Sequence, residues 1–208
     1  MWALLDNDTY RRIDNVIIPS PDGTTQIDHM LVSVYGIFVI ETKNIKGWIF
    51  GDPHKDKWTQ VIFGKKNYFQ NPIKQNYRHT RCLSDYLHLD HQIFRPVVFF
   101  ISECEFKTPM PDNILSRGLV PYIKQFSRVC LLPEQVTQIE ATLSALKRDT
   151  SLNLQTHLTS LRERHESTTV CPRCGGQLVP RISQKGVHVG KPFLGCSGYP
   201  RCKFMRKV

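Results

Sequence analysis

The chain has 208 residues, 40% hydrophobic and 22% charged, a composition that supports one main core and a small appendage and excludes an unstructured polypeptide. A formal net charge of +10 favours polyanionic partners over neutral metabolites, and seven cysteines, an odd number, argue against a disulfide framework. No apolar run is long enough to span a bilayer and the opening Met-Trp-Ala-Leu-Leu is too short for a signal-peptide core, so the expected compartment is the cytoplasm.

In chain order, Arg12 to Ile18 and Gln26 to Val34 read as strands separated by a Pro-Ser-Pro-Asp-Gly turn, and Ile37 to Lys43 follows Tyr35-Gly36 as the third strand of a meander. Gly47, Gly51 and Pro53 break the next stretch before a fourth strand at Trp58 to Phe63. Asn71-Pro72 supplies an N-cap and a first-turn proline for a helix running to about Leu87. Pro96 to Ile101 suits a strand buried on both faces, and Val129 to Leu132 reads as another. Val136, Ile139, Leu143 and Leu146 fall at helical spacing, as do Leu154, Leu158 and Leu161 after a polar break at 149–151. The polar stretch Glu163 to Thr169 reads as a connection. The expected domains are residues 1–132, a helical extension with linker at 133–170, and a C-terminal module at 171–208.

That module carries most of the charge. From Cys171 to Val208 there are eight basic residues and no acidic one, which leaves +2 of the +10 for residues 1–170. Cys171 and Cys174 form one two-cysteine knuckle; Cys196 and Cys202 supply a second pair. Four thiolates at tetrahedral reach suit a structural zinc ion, and a segment this short needs metal to offset its chain entropy. Cys82, Cys104 and Cys130, scattered among apolar residues, read as buried free thiols.

The run Cys-Pro-Arg-Cys-Gly-Gly, then Leu178, Lys191, Phe193, Gly195-Cys196-Ser197, Tyr199-Pro200 and Cys202-Lys203-Phe204 resembles the C4 zinc finger at the C-terminal end of bacterial type I topoisomerases. The resemblance implies a zinc ribbon that binds DNA, often single-stranded. The residues allow this independently: Phe193, Tyr199 and Phe204 can stack on bases while Arg173, Arg181, Lys191, Arg201 and Lys203 follow phosphates. One of the three aromatics is expected to pack the small core instead. An extra Gly198 lengthens the second cysteine spacing, and nothing resembles the large strand-passing enzyme.

Asp28, Glu41 and Lys43 form a second constellation. A Glu-x-Lys triplet alone arises by chance about once in a chain this long. If Tyr35-Gly36 is a two-residue turn, however, Asp28 faces Lys43, and Glu41 shares that side of the sheet. Two carboxylates and an amine converging there make poor core packing but a serviceable metal site. His29 points to the opposite face, His88-Leu-Asp-His91 reads as a polar loop, and Asp6 and Asp8 read as solvated turn residues.

Gln26-Ile27-Asp28-His29, Gly36-Ile37-Phe38-Val39-Ile40-Glu41-Thr42-Lys43-Asn44, Lys46-Gly47, Trp58-Thr59-Gln60 and Asn71-Pro72 with Gln75 together resemble the nuclease-related domain (NERD), a branch of the PD-(D/E)xK nuclease fold. The resemblance is strong from Arg12 to Leu87. It implies an α/β fold with a mixed sheet flanked by helices, followed by the small zinc ribbon. It also implies that Asp28 and Glu41 hold Mg²⁺ or Mn²⁺ with help from the Thr42 carbonyl, and that Lys43 orients a water and stabilises charge on the attacked phosphate, with Gln60 and Gln75 nearby. The family usually places another Glu ahead of the first strand, whereas no glutamate precedes Glu41 here, and relatives that continue upstream sometimes carry a membrane anchor.

The expected function is metal-dependent phosphodiester hydrolysis on DNA, single-stranded or branched, with RNA left open. The alternative is a catalytically inactive nuclease fold that binds DNA. A scaffold that contacts another protein through the terminal helices is a third class.

Overall fold

The computed structural model describes residues 4–207 apart from 21, 173–175, 185 and 201, together with all side chains there except those of Arg164, His165 and Val187. Its elements are β1 (Arg11–Ser20), β2 (Gly23–Ser33), β3 (Gly36–Lys43), β4 (Gly47–Phe50), β5 (Lys57–Ile62), β6 (Lys65–Gln70), α1 (Pro72–Leu87), β7 (Phe94–Phe100), β8 (Cys104–Phe106), β9 (Ile114–Leu115), α2 (Leu119–Lys124), α3 (Pro133–Arg148), α4 (Leu154–Glu166), β10 (Leu178–Ile182), β11 (Pro192–Cys196) and β12 (Met205–Lys207). They form two compact units, Met1–Ile18 with Thr25–Leu152, and Pro19–Thr24 with Asn153–Val208.

The first unit is built on a mixed sheet of order β1-β2-β3-β7-β9, in which β3 runs antiparallel to β2 and parallel to β7. Ile37 to Ile40 of β3 are completely buried, each worth about 1.5–3 kcal/mol of transfer free energy. Alternation sends Ile37 and Val39 toward Leu83 of α1 and Ile139 and Leu143 of α3, and sends Phe38 and Ile40 toward Leu119 and Ile123 at α2. A second sheet, β6-β5-β4-β8, begins where β3 and β7 end, and Trp58 and Ile49 on its inner face pack with Phe100.

The meander turn differs in register from the expected one. Ser33 pairs with Gly36 and Val32 with Ile37, so Val34 and Tyr35 form the turn rather than Tyr35 and Gly36. Gly36 is held in the left-handed region (φ +123°), and a Cβ there would meet the Ile93 carbonyl oxygen at 2.5 Å, so a larger residue cannot occupy this strand end. Asp28 consequently lies opposite Glu41 instead of Lys43, while the shared face is preserved because Glu41 and Lys43 are two residues apart.

Val129 to Leu132 is not a strand. The backbone N–H groups of Cys130 and Leu131 both donate to the Val34 carbonyl, and Leu131 is buried in the core while Val129 and Leu132 are exposed, so this apolar run anchors the entry to α3. Glu163 to Glu166 is helical rather than connecting chain, as α4 continues from its Asn153 cap until the Ser167 N–H closes on the Glu163 carbonyl. Of the three scattered cysteines only Cys82 is buried; Cys104 and Cys130 are half-buried, and burial still pushes the Cys104 thiol up.

Helix α1 starts where expected, for a stronger reason than capping alone. The Asn71 side chain is fully buried; its Oδ1 accepts from Ile73 N, and its Nδ2 donates to the carbonyls of Asp52, Pro53 and Lys55. Asn71→Ala removes the cap and strands those carbonyls, so a loss of about 2–4 kcal/mol is expected, read from the denaturant midpoint. In the second unit, the 19–24 turn is tied to α4 by Thr24 N to Ser160 Oγ at 2.9 Å and Thr24 Oγ1 to His157 Nδ1 at 2.8 Å. The antiparallel sheet β10-β11-β12 completes that unit. Among the described residues no helix is long and apolar enough to cross a membrane.

Candidate metal centres

The first centre lies at the C-terminal end of β3, on the face covered by α1. Asp28 Oδ2 accepts from the Thr42 backbone N–H at 3.0 Å and from Thr42 Oγ1 at 2.8 Å, which fixes the carboxylate from the neighbouring strand. Lys43 Nζ donates to Glu41 Oε1 at 2.6 Å and to Gln75 Oε1 at 2.9 Å. Gln75 comes from the first turns of α1, so the position of the lysine depends on the Asn71 cap. Asn76, the next residue, donates to the carbonyls of Val39 and Val97 and thereby locks α1 onto both central strands.

Glu41 is 3% exposed. Burial pushes its carboxyl above the ordinary range; the Lys43 ammonium opposes that rise, and the negative charge of Asp28 adds to it. Its second oxygen, Oε2, is buried and makes no hydrogen bond among the described residues, although His79 Nδ1 lies 3.4 Å away. A buried carboxylate oxygen left open beside a second carboxylate is the donor set a hard divalent cation takes, and a magnesium-type ion would complete its shell with water. The residues present therefore fit Mg²⁺ or Mn²⁺, with Asp28 and Glu41 as the protein oxygens.

The structure brings Asp28, Glu41, Thr42, Lys43 and Gln75 together. It does not join Gln60 to them: Gln60 Nε2 donates to the Lys46 carbonyl and its Oε1 accepts from Asn67 on β6. His79, which sequence reasoning missed, is buried and reaches Glu41 from one helical turn beyond Gln75. The available signal was that i,i+4 spacing, which puts both side chains on one face of α1. The other discounted histidines are engaged elsewhere, His29 with Asp14 at 2.8 Å and His91 with Thr80 Oγ1 at 2.9 Å. Asp6 caps Thr9 in an exposed turn, and that hydrogen bond from the Thr9 hydroxyl leads in lowering its carboxyl.

The second centre gathers Cys171, Cys196 and Cys202, all buried, with their sulfurs within 4.8 Å of one another. A zinc–sulfur bond of about 2.3 Å places tetrahedral thiolates about 3.8 Å apart. Cys171 Sγ and Cys202 Sγ are 3.7 Å apart, so the cluster fits zinc. The Gly198 N–H donates to Cys196 Sγ at 3.3 Å, and the Cys202 N–H to the Gly198 carbonyl at 2.9 Å, so the longer knuckle still closes around the site. Cys174, the expected fourth ligand, lies outside the described residues, as do Arg173 and Arg201.

Of the expected nucleic-acid contacts, Lys191 and Lys203 are exposed, and Tyr199 is exposed with the Arg181 guanidinium 5.7 Å from its ring centre. Phe193 is half-buried between Arg181 and Lys207 in one cross-strand row. Phe204 packs against the cysteine core, with Arg206 over its ring.

Residues 2–101 match the family model of the Nuclease-related domain, and residues 168–208 match that of the Topoisomerase DNA binding C4 zinc finger. An uncharacterized protein of Bacillus anthracis is 46% identical over 84 residues, covering 40% of this chain and 40% of that protein. DNA topoisomerase 1 of Archaeoglobus fulgidus is 56% identical over 34 residues, covering 16% of this chain and 4% of the enzyme. The uncharacterized protein YrdD of Escherichia coli is 50% identical over 38 residues, 18% of each chain. This chain therefore spans two fifths or less of each of these relatives. No solved structure matches it. With the cysteine cluster, the C-terminal match identifies a structural zinc site, and the two family matches together support a nuclease-related, DNA-binding protein.

Proposed function

We propose that this chain, a nuclease-related domain carrying a topoisomerase-type C4 zinc finger, hydrolyses phosphodiester bonds in DNA. The observation that carries the reading is the half-buried ammonium of Lys43 held between Glu41 and Gln75, beside an Asp28 carboxylate fixed by Thr42. An ammonium has three donors. Two are committed to Oε1 atoms, and the third is left for a water or a phosphate oxygen, where its charge would offset the charge that develops on the attacked phosphate. A divalent ion held by Asp28, Glu41 and the Thr42 carbonyl would supply Lewis-acid activation of the phosphate and a nucleophile at neutral pH. Gln75 positions Lys43.

The test is incubation of supercoiled plasmid with the protein and Mg²⁺ or Mn²⁺. Nicked or linear DNA is expected. DNA binding without cleavage would support the alternative reading, an inactive nuclease fold that binds DNA.

The zinc ribbon is assigned to association rather than chemistry, because it holds eight basic residues, no acidic ones and no member of the acidic site. Deleting residues 171–208 should weaken DNA binding far more than it slows single-turnover cleavage at saturating protein. If about half those cations each neutralise a phosphate, the slope of log affinity against log salt flattens by about three units on single strands. An unchanged slope, measured by anisotropy across salt concentrations, would reassign the ribbon to protein contact.

A further inference from the structure

Four of the six exposed aromatic side chains among the described residues, Trp48, Phe50, Phe63 and Tyr68, belong to the second sheet or its hairpin tip. Strand register puts three of them on one surface. Phe50 pairs with Thr59, and Thr59 with Tyr68; Trp48 pairs with Val61, and Val61 with Lys66. These are two neighbouring rows on the face opposite Ile49 and Trp58, which are the buried inner residues. Phe63 is 97% exposed at the tip between β5 and β6.

Cations are interleaved with the rings. Lys107 Nζ lies 4.6 Å above the centre of the Trp48 ring while also holding Glu105 at 2.6 Å. Lys66 ends the Trp48 row, Lys57 shares the same face two residues from Thr59, and Lys65 sits at the tip. Across this face and its tip, four lysines stand against the single Glu105, which is already neutralised by Lys107. A core-forming face would not alternate rings with lysines and threonine, and edge strand β6, with five of its six residues exposed, keeps such a surface open to a ligand. Flat rings offered singly, with positive charge between them, are complementary to unpaired bases on a phosphate chain.

We infer that the outer face of the β6-β5-β4-β8 sheet is a stacking platform for single-stranded nucleic acid, with Trp48 and Tyr68 as its principal rings. The inference deepens the nucleic-acid reading above and rests on it. Chain continuity connects the platform to the acidic centre: β4 starts at Gly47, shortly after Lys43, and β6 leads through Asn71 into α1, which carries Gln75. The substrate class this favours is DNA with an unpaired segment rather than continuous duplex.

The experiment uses the full zinc-loaded chain without added divalent cation, and a fluorescein-labelled oligo-dT read by anisotropy. Trp48→Ala/Tyr68→Ala should weaken binding by about fivefold to 150-fold for each stacked ring, with an unchanged salt slope because stacking releases no counterions. Lys66→Ala should instead flatten that slope by about 0.7. Trp48→Tyr with Tyr68→Phe keeps both rings and should keep the affinity, which separates stacking from loss of fold. Blunt duplex of the same length should be insensitive to the double alanine change. Parent-level oligo-dT affinity in the double alanine variant would overturn the platform while leaving the nucleic-acid reading intact. An equal loss on duplex would overturn it as a single-strand site. Failure of the parent chain to bind any nucleic acid would overturn both.

Discussion

Removing zinc from the C-terminal module is expected to unfold that module and leave the first unit folded. Its buried apolar cluster consists of Cys171, Leu178, Cys196 and Cys202, backed by half-buried Leu194 and Phe204. Among the described residues three of the four buried members are the ligands themselves, so without metal one buried leucine remains there against the entropy of ordering the chain. Structural zinc contributes about 10–16 kcal/mol in small cysteine-rich modules at neutral pH, more than any other interaction this segment makes. Elemental analysis should find one zinc per chain. A chelator, or the double variant Cys171→Ser/Cys174→Ser, should abolish it and remove amide protection in β10, β11 and β12 while the Ile37 to Ile40 strand stays protected. Zinc retained by the double variant, or a stoichiometry near zero after gentle purification, would sink the assignment.

The zinc module and the centre of the first unit were legible for different reasons. Cysteine spacing states ligand chemistry directly, and the apolar run from Pro96 states a strand covered on both faces, which β7 beside β3 satisfies with Val97, Val98 and Phe100 buried. The hairpin pairing of β2 with β3 was enough to put Asp28, Glu41 and Lys43 on one surface even though the turn slipped by one residue on each strand, because such a slip preserves facing. The second sheet was largely illegible. β4 has four residues and β8 three, too short for periodicity to show, and β6 reads Lys-Lys-Asn-Tyr-Phe-Gln, a polar edge strand without a buried stripe. Val129 to Leu132 misled for the opposite reason: an apolar run matched strand composition, but its N–H groups go to a turn carbonyl. His79 was missed because its partner is on a strand 38 positions earlier, a contact only the docking of α1 by Asn76 creates.

Glu41→Gln is expected to lower cleavage by about 10²–10⁴-fold without lowering stability at neutral pH. The two effects separate because burial makes the ionised carboxylate unfavourable here. A carboxyl whose folded value is raised binds its proton more tightly folded than unfolded, so its stabilising contribution is present at low pH and is lost as pH rises through the ordinary value toward the raised one. A neutral amide of the same shape escapes that loss and still offers Oε1 to Lys43, while it surrenders the charge that Oε2 would bring to a cation. A metal ion and a proton compete for the same Glu41 oxygens, so metal affinity in the parent chain should climb with pH. Lys43→Ala should also remove cleavage. It leaves Glu41 without its cation, so the variant's melting temperature, compared with the parent's, should fall further as pH rises. Lys43→Arg should not restore activity, since a broad guanidinium cannot occupy the gap between Glu41 Oε1 and Gln75 Oε1 and still face one water. Asp28→Asn tests the remaining carboxylate, its amide oxygen still able to accept from Thr42. Plasmid nicking and thermal melts on the four variants decide each residue separately. Full cleavage removes that residue from the mechanism, and lost cleavage with lost fold makes its role structural. Lost cleavage with the fold retained is the expected outcome, because Asp28, Glu41 and Lys43 are polar groups gathered at one site rather than members of the apolar core.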